Sequence, residues 1–166
     1  MPIYRRRHFA HKWARYTLPM IYIASDHAGL ELKQKLVEHL KKSNQEVEDC
    51  GPDVHDPEDD YPDFIYPCAL KVSQNPGSMG IVIGGSGNGE AIVANKAKGI
   101  RAAVYYGGHE DIIVLSRRHN NANVLSLGAR FLTPEQAERA VDLWIETGFD
   151  GGRHQRRIEK ISKLEN

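Results

Sequence analysis

The segment from Met79 to Lys96 constrains the fold more than any other part of the chain. A β-branched run, Ile81 to Ile83, predicts a buried strand. Four glycines follow within six residues, at positions 84, 85, 87 and 89, and Glu90 then opens a helix-forming stretch. A strand that turns through a glycine loop into a helix brings backbone N–H groups close to a bound anionic oxygen. The segment therefore predicts an oxygen-binding loop with a proton acceptor beside it.

The glycine spacing fits neither of the two common phosphate-binding patterns. It departs from G-x-G-x-x-G, and no Lys followed by Ser or Thr completes a P-loop. A purely structural interpretation is also available, in which the glycines supply positive φ angles and Glu90 compensates the helix dipole. The loop alone leaves both interpretations open.

Strand-like and helix-like segments alternate along the rest of the chain. This alternation predicts an α/β fold with a five-stranded parallel sheet covered by helices on both faces. In such a sheet, ligands bind beyond the carboxyl ends of the strands. The predicted strands are 20–24, 45–50, 81–83, 101–105 and 123–127, and the predicted helices are 32–42, 61–75, 90–98, 110–118, 133–147 and 153–164.

Composition excludes several classes of protein. The 166 residues fit one domain, and 22 basic residues balance 22 acidic ones, so nothing global indicates a nucleic-acid partner. No apolar run has the length of a membrane span. Cys50 and Cys68 show no metal-binding or redox spacing, which predicts free thiols in a reducing, cytoplasmic location.

The N-terminus differs in charge from the remainder. Residues 1–19 carry five basic residues and no acid, which leaves 17 basic against 22 acidic residues, a formal charge of −5, in the remainder. We therefore divide the chain into a basic extension, 1–19, and a single domain, 20–166. The extension suits either an organellar transit segment or an added upstream stretch with Met20 as the older start.

Polar residues cluster around the predicted strand ends. Asp26 and His27 follow the first strand, Glu90 follows the third, and Arg130 follows the fifth, while His119 ends the fourth helix. We expect all of them to gather at the carboxyl edge of the sheet. Each also has an ordinary structural interpretation, such as helix capping by Asp26 or a helix end at His119.

This set of side chains suits one kind of chemistry. Arginines bind phosphate, and a carboxylate beside backbone N–H groups can remove a proton from carbon while those groups stabilise an enediolate oxygen. A histidine can open a sugar ring by proton transfer. The sequence shows no metal-binding cluster and no cofactor motif. Isomerisation of a phosphorylated sugar requires this inventory and nothing more.

Five motifs in the correct order resemble ribose-5-phosphate isomerase type B, a family that also includes the galactose-6-phosphate isomerase subunits. The resemblance extends from about residue 20 to the C-terminus. The motifs are Ser25-Asp26-His27-Ala28-Gly29, Asp60-Tyr61-Pro62-Asp63, Gly84-Gly85-Ser86-Gly87-Asn88-Gly89-Glu90 with Ala94-Asn95-Lys96, His119-Asn120-Asn121-Ala122, and Arg153-His154-Gln155-Arg156-Arg157.

The resemblance implies a Rossmann-like three-layer α/β/α sandwich with a C-terminal helix. It implies metal-independent, cofactor-free interconversion of D-ribose 5-phosphate and D-ribulose 5-phosphate through a cis-enediolate, in the pentose phosphate pathway. It also implies a homodimer with active sites shared between subunits, a tetramer being the alternative.

The resemblance further assigns roles to individual residues. Glu90 is the base that moves the proton between C1 and C2, His119 is the acid that opens the ring, and Ser86 relays a proton. Phosphate binding is implied for Arg130, Arg153 and Arg157, although the helix-terminus argument alone would place phosphate on the glycine loop. The other implied substrate-binding residues are Asp26, His27, Tyr61, Gly85, Gly87, Asn88, Gly89 and Asn120.

One position departs from much of the family. Many members carry a cysteine base where this chain has Gly84, so the chain resembles the branch in which the glutamate after the loop acts as base. Two alternatives stay open: an allose or galactose 6-phosphate isomerase, and a non-catalytic phosphosugar- or nucleotide-binding module of flavodoxin-like architecture.

Overall fold

The computed structural model describes residues 18–165. Apart from Leu18 and Pro19, the predicted basic extension lies outside the described residues. The elements are β1 (Ile21–Ser25), α1 (Leu30–Lys42), β2 (Val47–Asp49), α2 (Pro62–Gln74), β3 (Met79–Gly84), α3 (Asn88–Ala94), β4 (Ala102–Tyr105), α4 (Asp111–Arg118), β5 (Val124–Gly128), α5 (Pro134–Glu146) and α6 (Arg153–Ser162).

The five strands form one sheet in the order β2-β1-β3-β5-β4, with every neighbouring pair parallel. The predicted α/β/α sandwich is confirmed. The register sets Ser25 of β1 opposite Ile83 of β3, and Gly84 of β3 opposite Gly128 of β5. The residues that follow these three strands therefore emerge side by side at the carboxyl edge.

Both faces of the sheet are covered. One apolar cluster joins the strands to α1, α4 and α5, with Trp144 fully buried in it, and a second joins them to α2 and α3 around Ile65. All six residues of β3 are buried, because this central strand has a neighbour on each side and helices above and below. No helix among residues 18–165 is both long enough and apolar enough to cross a membrane.

Side-chain chemistry explains where two helices begin or end. Thr133 caps α5 through a reciprocal capping box with Gln136. Helix α3 ends at Ala94, four residues earlier than predicted, because Asn95 hydrogen-bonds both the N–H and the carbonyl of Ala102. That side chain ties the end of α3 to the start of β4.

Candidate active site

The glycine loop after β3 is held by the chain that follows β5. The carbonyls of Gly84 and Gly85 accept the N–H groups of Ala129 and Arg130, at 2.8 and 3.1 Å. The buried Ser126 hydroxyl donates to the carbonyl of Gly87 at 2.6 Å. Gly87 has a φ of +80°, which glycine adopts without the steric cost that a side chain would add. The loop therefore has a fixed shape set by its neighbours.

Glu90 turns its carboxylate back over the end of β3. Only 4% of the residue is exposed, and a Cβ atom built on Gly84 would lie 1.9 Å from its Oε1. Burial raises the pKa of Glu90, while N–H groups of Glu90 itself and of Gly87 lower it in part and the nearby charge of Asp26 raises it. The group is thus a desolvated carboxylate, more basic than an exposed glutamate.

The remaining loop residues surround this carboxylate. The Ser86 hydroxyl accepts hydrogen bonds from the backbone and side-chain nitrogens of Asn88, each at 3.3 Å. The phenol of Tyr61 closes the other side, because a Cβ on Gly89 would lie 2.9 Å from its hydroxyl oxygen. A side chain at position 89 would therefore displace the Tyr61 phenol from this place.

Asp26 and His27 lie at the same edge. Asp26 is 7% exposed, and its Oδ1 accepts the N–H of Gly29 at 3.0 Å, so it also stabilises the turn before α1. The His27 Nδ1 lies 2.5 Å from Oδ1 of Asp59, which also accepts the His27 N–H at 3.2 Å. Sequence reasoning missed Asp59, because nothing distinguishes it from the other acids of the loop 51–60.

Arg130 completes this group from the far side of the glycine loop. A Cβ on Gly85 would lie 3.1 Å from the guanidinium carbon of Arg130, so the guanidinium lies directly over the loop. The positive charge of Arg130 lowers the pKa of His27 and so offsets part of the increase that other groups cause. The carboxyl edge therefore combines the buried carboxylates of Glu90, Asp26 and Asp59 with the guanidinium of Arg130 and the ionisable ring of His27.

His119 and Asn120 do not join this group within one chain, and the expectation that they would is wrong. A helix between two parallel strands runs antiparallel to them, so the end of α4 returns to the amino edge of the sheet. Arg101, immediately before β4, donates to the carbonyls of Asn120 and Asn121 at 3.1 and 3.0 Å. These contacts fix His119 at the edge opposite Glu90.

His119 instead forms a second cluster with the start of α6. Its ring stacks on that of His154, with centroids 4.2 Å apart and planes 7° apart. Burial lowers the pKa of His154, and the charges of His119 and of the α6 arginines lower it further. Asp150 lies beside the pair and binds Arg118 at 3.1 Å.

Arg153 and Arg157 extend this second cluster along α6. Both are exposed, and within residues 18–165 neither side chain forms a hydrogen bond or salt bridge. Two guanidinium groups one helical turn apart, without a carboxylate partner among the described residues, are suited to an external anion.

The two clusters are too far apart for one sugar phosphate to bridge within a single chain. Strands rise by about 3.3 Å per residue, so the two edges of the six-residue β3 lie roughly 17 Å apart. A pentose phosphate, with C–C bonds of about 1.5 Å, extends about 8 Å from C1 to phosphorus. No hydrogen bond, salt bridge or ring contact joins the clusters within residues 18–165.

Two groups of side chains have the proximity needed for a metal ion. They are Asp26, His27 and Asp59, and His119, Asp150 and His154, with ligand atoms within 4.8 Å of one another. In the second group the stacked imidazole rings hold their nitrogen lone pairs in two nearly parallel planes, so these lone pairs do not converge on one point. In the first, Oδ1 of Asp26 and Oδ1 of Asp59 already accept hydrogen bonds.

The fold and the carboxyl-edge site define an α/β enzyme domain with a buried carboxylate at a backbone-amide loop. Comparison with known proteins is more specific. The sequence profile of the Ribose/Galactose Isomerase family matches residues 21–161, and the chain belongs to that family.

Individual relatives resemble nearly the whole domain. The probable ribose-5-phosphate isomerase B of Mycoplasma pneumoniae is 46% identical over 145 residues, which cover 87% of this chain and 94% of that protein. Ribose-5-phosphate isomerase B of Mycobacterium tuberculosis is 44% identical over 146 residues, covering 87% and 89%. The crystal structure of ribose-5-phosphate isomerase B from Mycoplasma genitalium with bound ribulose-5-phosphate matches with a TM-score of 0.86 and 46% identity, covering 90% of this chain and 98% of that one.

Proposed function

We propose that this chain is an aldose–ketose isomerase that interconverts D-ribose 5-phosphate and D-ribulose 5-phosphate. Relatives described above carry the name ribose-5-phosphate isomerase B. The observation that carries the proposal is the buried carboxylate of Glu90, which takes the space over Gly84 at the start of the glycine loop. A carboxylate with a raised pKa is better matched to removing a proton from carbon than an exposed one. A binding module without chemistry would gain nothing from this costly burial.

The proposed reaction begins with the open-chain aldose. Glu90 removes the proton from C2, the C2–H electron pair forms the C1–C2 double bond, and the C1 carbonyl electrons move onto O1. The carboxylic acid then returns its proton to C1, O2 loses its hydroxyl proton, and O1 gains one. Ser86 lies in the loop beside Glu90 and relays the proton between the two oxygens.

Backbone N–H groups of the loop stabilise the enediolate oxygens, because they are fixed before the substrate arrives. The carbonyls of Gly84 and Gly85 are held by β5, so the amides of Gly85 to Gly89 need little reorganisation during the reaction. Asp26, His27, Asn88 and Tyr61 line the sugar. Every proton transfer in this scheme uses side chains of the chain itself.

We further propose that the working enzyme is a homodimer with shared active sites. The support is the separation of the two clusters, since Glu90 and His119 lie at opposite edges of one sheet. In the dimer, His119, Asn120, Arg153 and Arg157 of one subunit complete the site around Glu90 of the other. His119 opens the sugar ring there, and the two arginines bind the phosphate together with Arg130 of the subunit that supplies Glu90.

Subunit mixing tests the shared site. Glu90→Gln and His119→Asn homodimers are each expected to keep no more than about 1% of wild-type activity, but unfolding and refolding them together gives heterodimers with one intact site. Random pairing then restores about a quarter of wild-type activity. Activity that stays at the level of the separate variants would show that each subunit holds a complete site.

The substrate is tested by a coupled assay with ribose 5-phosphate, allose 6-phosphate and galactose 6-phosphate, repeated after dialysis against a chelator. We expect the highest kcat/KM for ribose 5-phosphate, and no loss of activity on chelation. Faster turnover of either hexose phosphate, or no isomerisation of any of the three, would overturn the assignment.

The wider setting follows from the same assignment. We propose that residues 20–166 form one isomerase domain that acts in the pentose phosphate pathway of the cytoplasm. The family match over residues 21–161 and the free thiols of Cys50 and Cys68 support this proposal.

A further inference from the structure

The loop between β2 and α2 reaches into the candidate site at two points. Its last residue, Tyr61, contacts Gly89, and Asp59 contacts His27. A turn presents Asp59: Asp56 accepts the N–H of Glu58 on its side chain at 3.0 Å and the N–H of Asp59 on its carbonyl at 3.2 Å. The turn therefore fixes the position of Asp59.

Asp59 makes a buried, two-point contact with His27. The side chain is only 6% exposed, and its Oδ1 accepts both the ring Nδ1–H and the backbone N–H of His27. Its Oδ2 is buried without a hydrogen-bond partner among the described residues. A carboxylate buried in this way is costly unless it faces a positive charge, and an imidazolium would supply one.

The groups around His27 favour a charged ring. Asp59 and Asp26 are the acidic neighbours, Arg130 is the cationic one, and His55 lies edge-on with ring centroids 5.9 Å apart. The hydrogen bond with Asp59 is the largest cause that raises the pKa of His27, against burial and Arg130, which lower it. Nε2 forms no hydrogen bond within residues 18–165, so this nitrogen is left for a ligand.

We propose that Asp59 is a positioning residue that holds His27 as an imidazolium, with Nδ1–H bound to the carboxylate and Nε2–H available to an anionic group of the substrate. The inference rests on the proposed function, since the anion is the phosphorylated sugar. Arg130 and the charged His27 then form a cationic pair at the carboxyl edge of the sheet. Asp59 itself does not touch the substrate.

The first test needs no catalytic activity. In ¹⁵N-labelled protein, the ring nitrogens of His27 are titrated in the wild type, in Asp59→Asn and in Asp60→Asn. Asp60 is the matched control, because it is the exposed neighbouring acid and its side chain has no hydrogen bond to His27. We expect Asp59→Asn to lower the pKa of His27 and to change its Nδ1–H signature, and Asp60→Asn to do neither. An unchanged His27 titration in Asp59→Asn overturns the proposal.

The second test uses KM for ribose 5-phosphate as a function of pH. A lower pKa of His27 leaves less imidazolium at alkaline pH, so KM in Asp59→Asn is expected to rise several-fold toward pH 8 and to recover at acidic pH, where both proteins carry the imidazolium. A KM increase of equal size at every pH would indicate a disordered loop and would refute the role. In a His27→Gln background, Asp59→Asn is expected to add no further loss.

Two outcomes separate this inference from the proposed function. A wild-type protein without isomerase activity removes the proposed function, while the titration of His27 still decides the role of Asp59.

If Asp59→Asn does not fold, the comparison of wild type with His27→Gln decides instead. A raised His27 pKa predicts stability that is full below 6.5 and is lost as pH rises through the folded-state pKa, and His27→Gln abolishes that dependence. An identical pH dependence in both proteins refutes the charged ring.

Discussion

The carboxylate of Glu90 occupies the space in which a side chain at Gly84 would lie. A Cβ on Gly84 would be 1.9 Å from Oε1 and 2.6 Å from Oε2 of Glu90. A cysteine base at position 84 and a glutamate base at position 90 therefore exclude one another, since both need the same volume at the end of β3. Glycine at position 84 leaves free the volume that the Glu90 carboxylate occupies.

Gly84→Ala is expected to impair catalysis without unfolding the protein. Its Cβ would have to gain more than 1 Å from Oε1 to reach the 3.0 Å that real contacts respect, and the glutamate side chain can move. Misplacing a reacting group by about 1 Å costs about 10²-fold in rate, so kcat should fall by about that factor while Tm changes little. Gly148→Ala is the control, because nothing lies within 4 Å of its Cβ. A kcat within twofold of wild type would contradict this geometry.

Glu90→Gln is expected to lower kcat by about 10³-fold with little change in KM, because the amide cannot accept a proton from carbon but fills the same space. Steady-state kinetics in both directions measure the effect. Comparable changes in kcat and KM would assign Glu90 to binding and remove it as the base.

The same substitution should stabilise the fold at neutral pH. Burial raises the pKa of Glu90 above its ordinary 4.5, so the folded chain retains a proton that the unfolded chain releases. Stability therefore falls as pH rises from 4.5 through the folded-state pKa, and it stays lower above that window. Thermal unfolding should show Glu90→Gln to be more stable than wild type near pH 7, with the difference vanishing below 4.5. A variant less stable than wild type at neutral pH would contradict the desolvated carboxylate.

His119→Asn should separate ring opening from proton transfer. Ribulose 5-phosphate is acyclic, because its C5 hydroxyl carries the phosphate, and its C1 proton exchange needs no ring opening. We expect turnover of ribose 5-phosphate to fall by about 10²-fold, while deuterium incorporation at C1 of ribulose 5-phosphate stays within a few-fold of wild type. His109→Asn, an exposed histidine before α4, is the control and should alter neither rate. Equal losses in both assays would remove the ring-opening role.

The sequence predicted the fold well because the alternation of β-branched runs and amphipathic stretches repeats throughout the domain. It also predicted the position of Glu90, since a strand followed by a glycine loop and a helix has few other geometries. It failed for His119, because the prediction did not apply the rule that a helix between two parallel strands runs antiparallel to them, which places the end of α4 at the amino edge. It failed for Asp59, because several acidic residues lie in the same loop. Which of them contacts His27 depends on the turn at Asp56 and on the position of His27 in the folded chain.

Replacing Arg153 is expected to weaken substrate binding without slowing the catalytic step. Its guanidinium is exposed and unpaired within residues 18–165, so its removal costs the fold no salt bridge. A hydrogen bond between charged groups contributes about 1.5–3 kcal/mol, so Arg153→Ala should raise KM for ribose 5-phosphate by about ten- to a hundredfold and leave kcat and Tm nearly unchanged. Arg156→Ala removes the same charge from an adjacent exposed position of α6, and its KM should stay within about twofold of wild type. If both variants raise KM equally and high salt abolishes the effect, α6 acts on the substrate only through its general positive field, and the direct contact of Arg153 with phosphate is wrong.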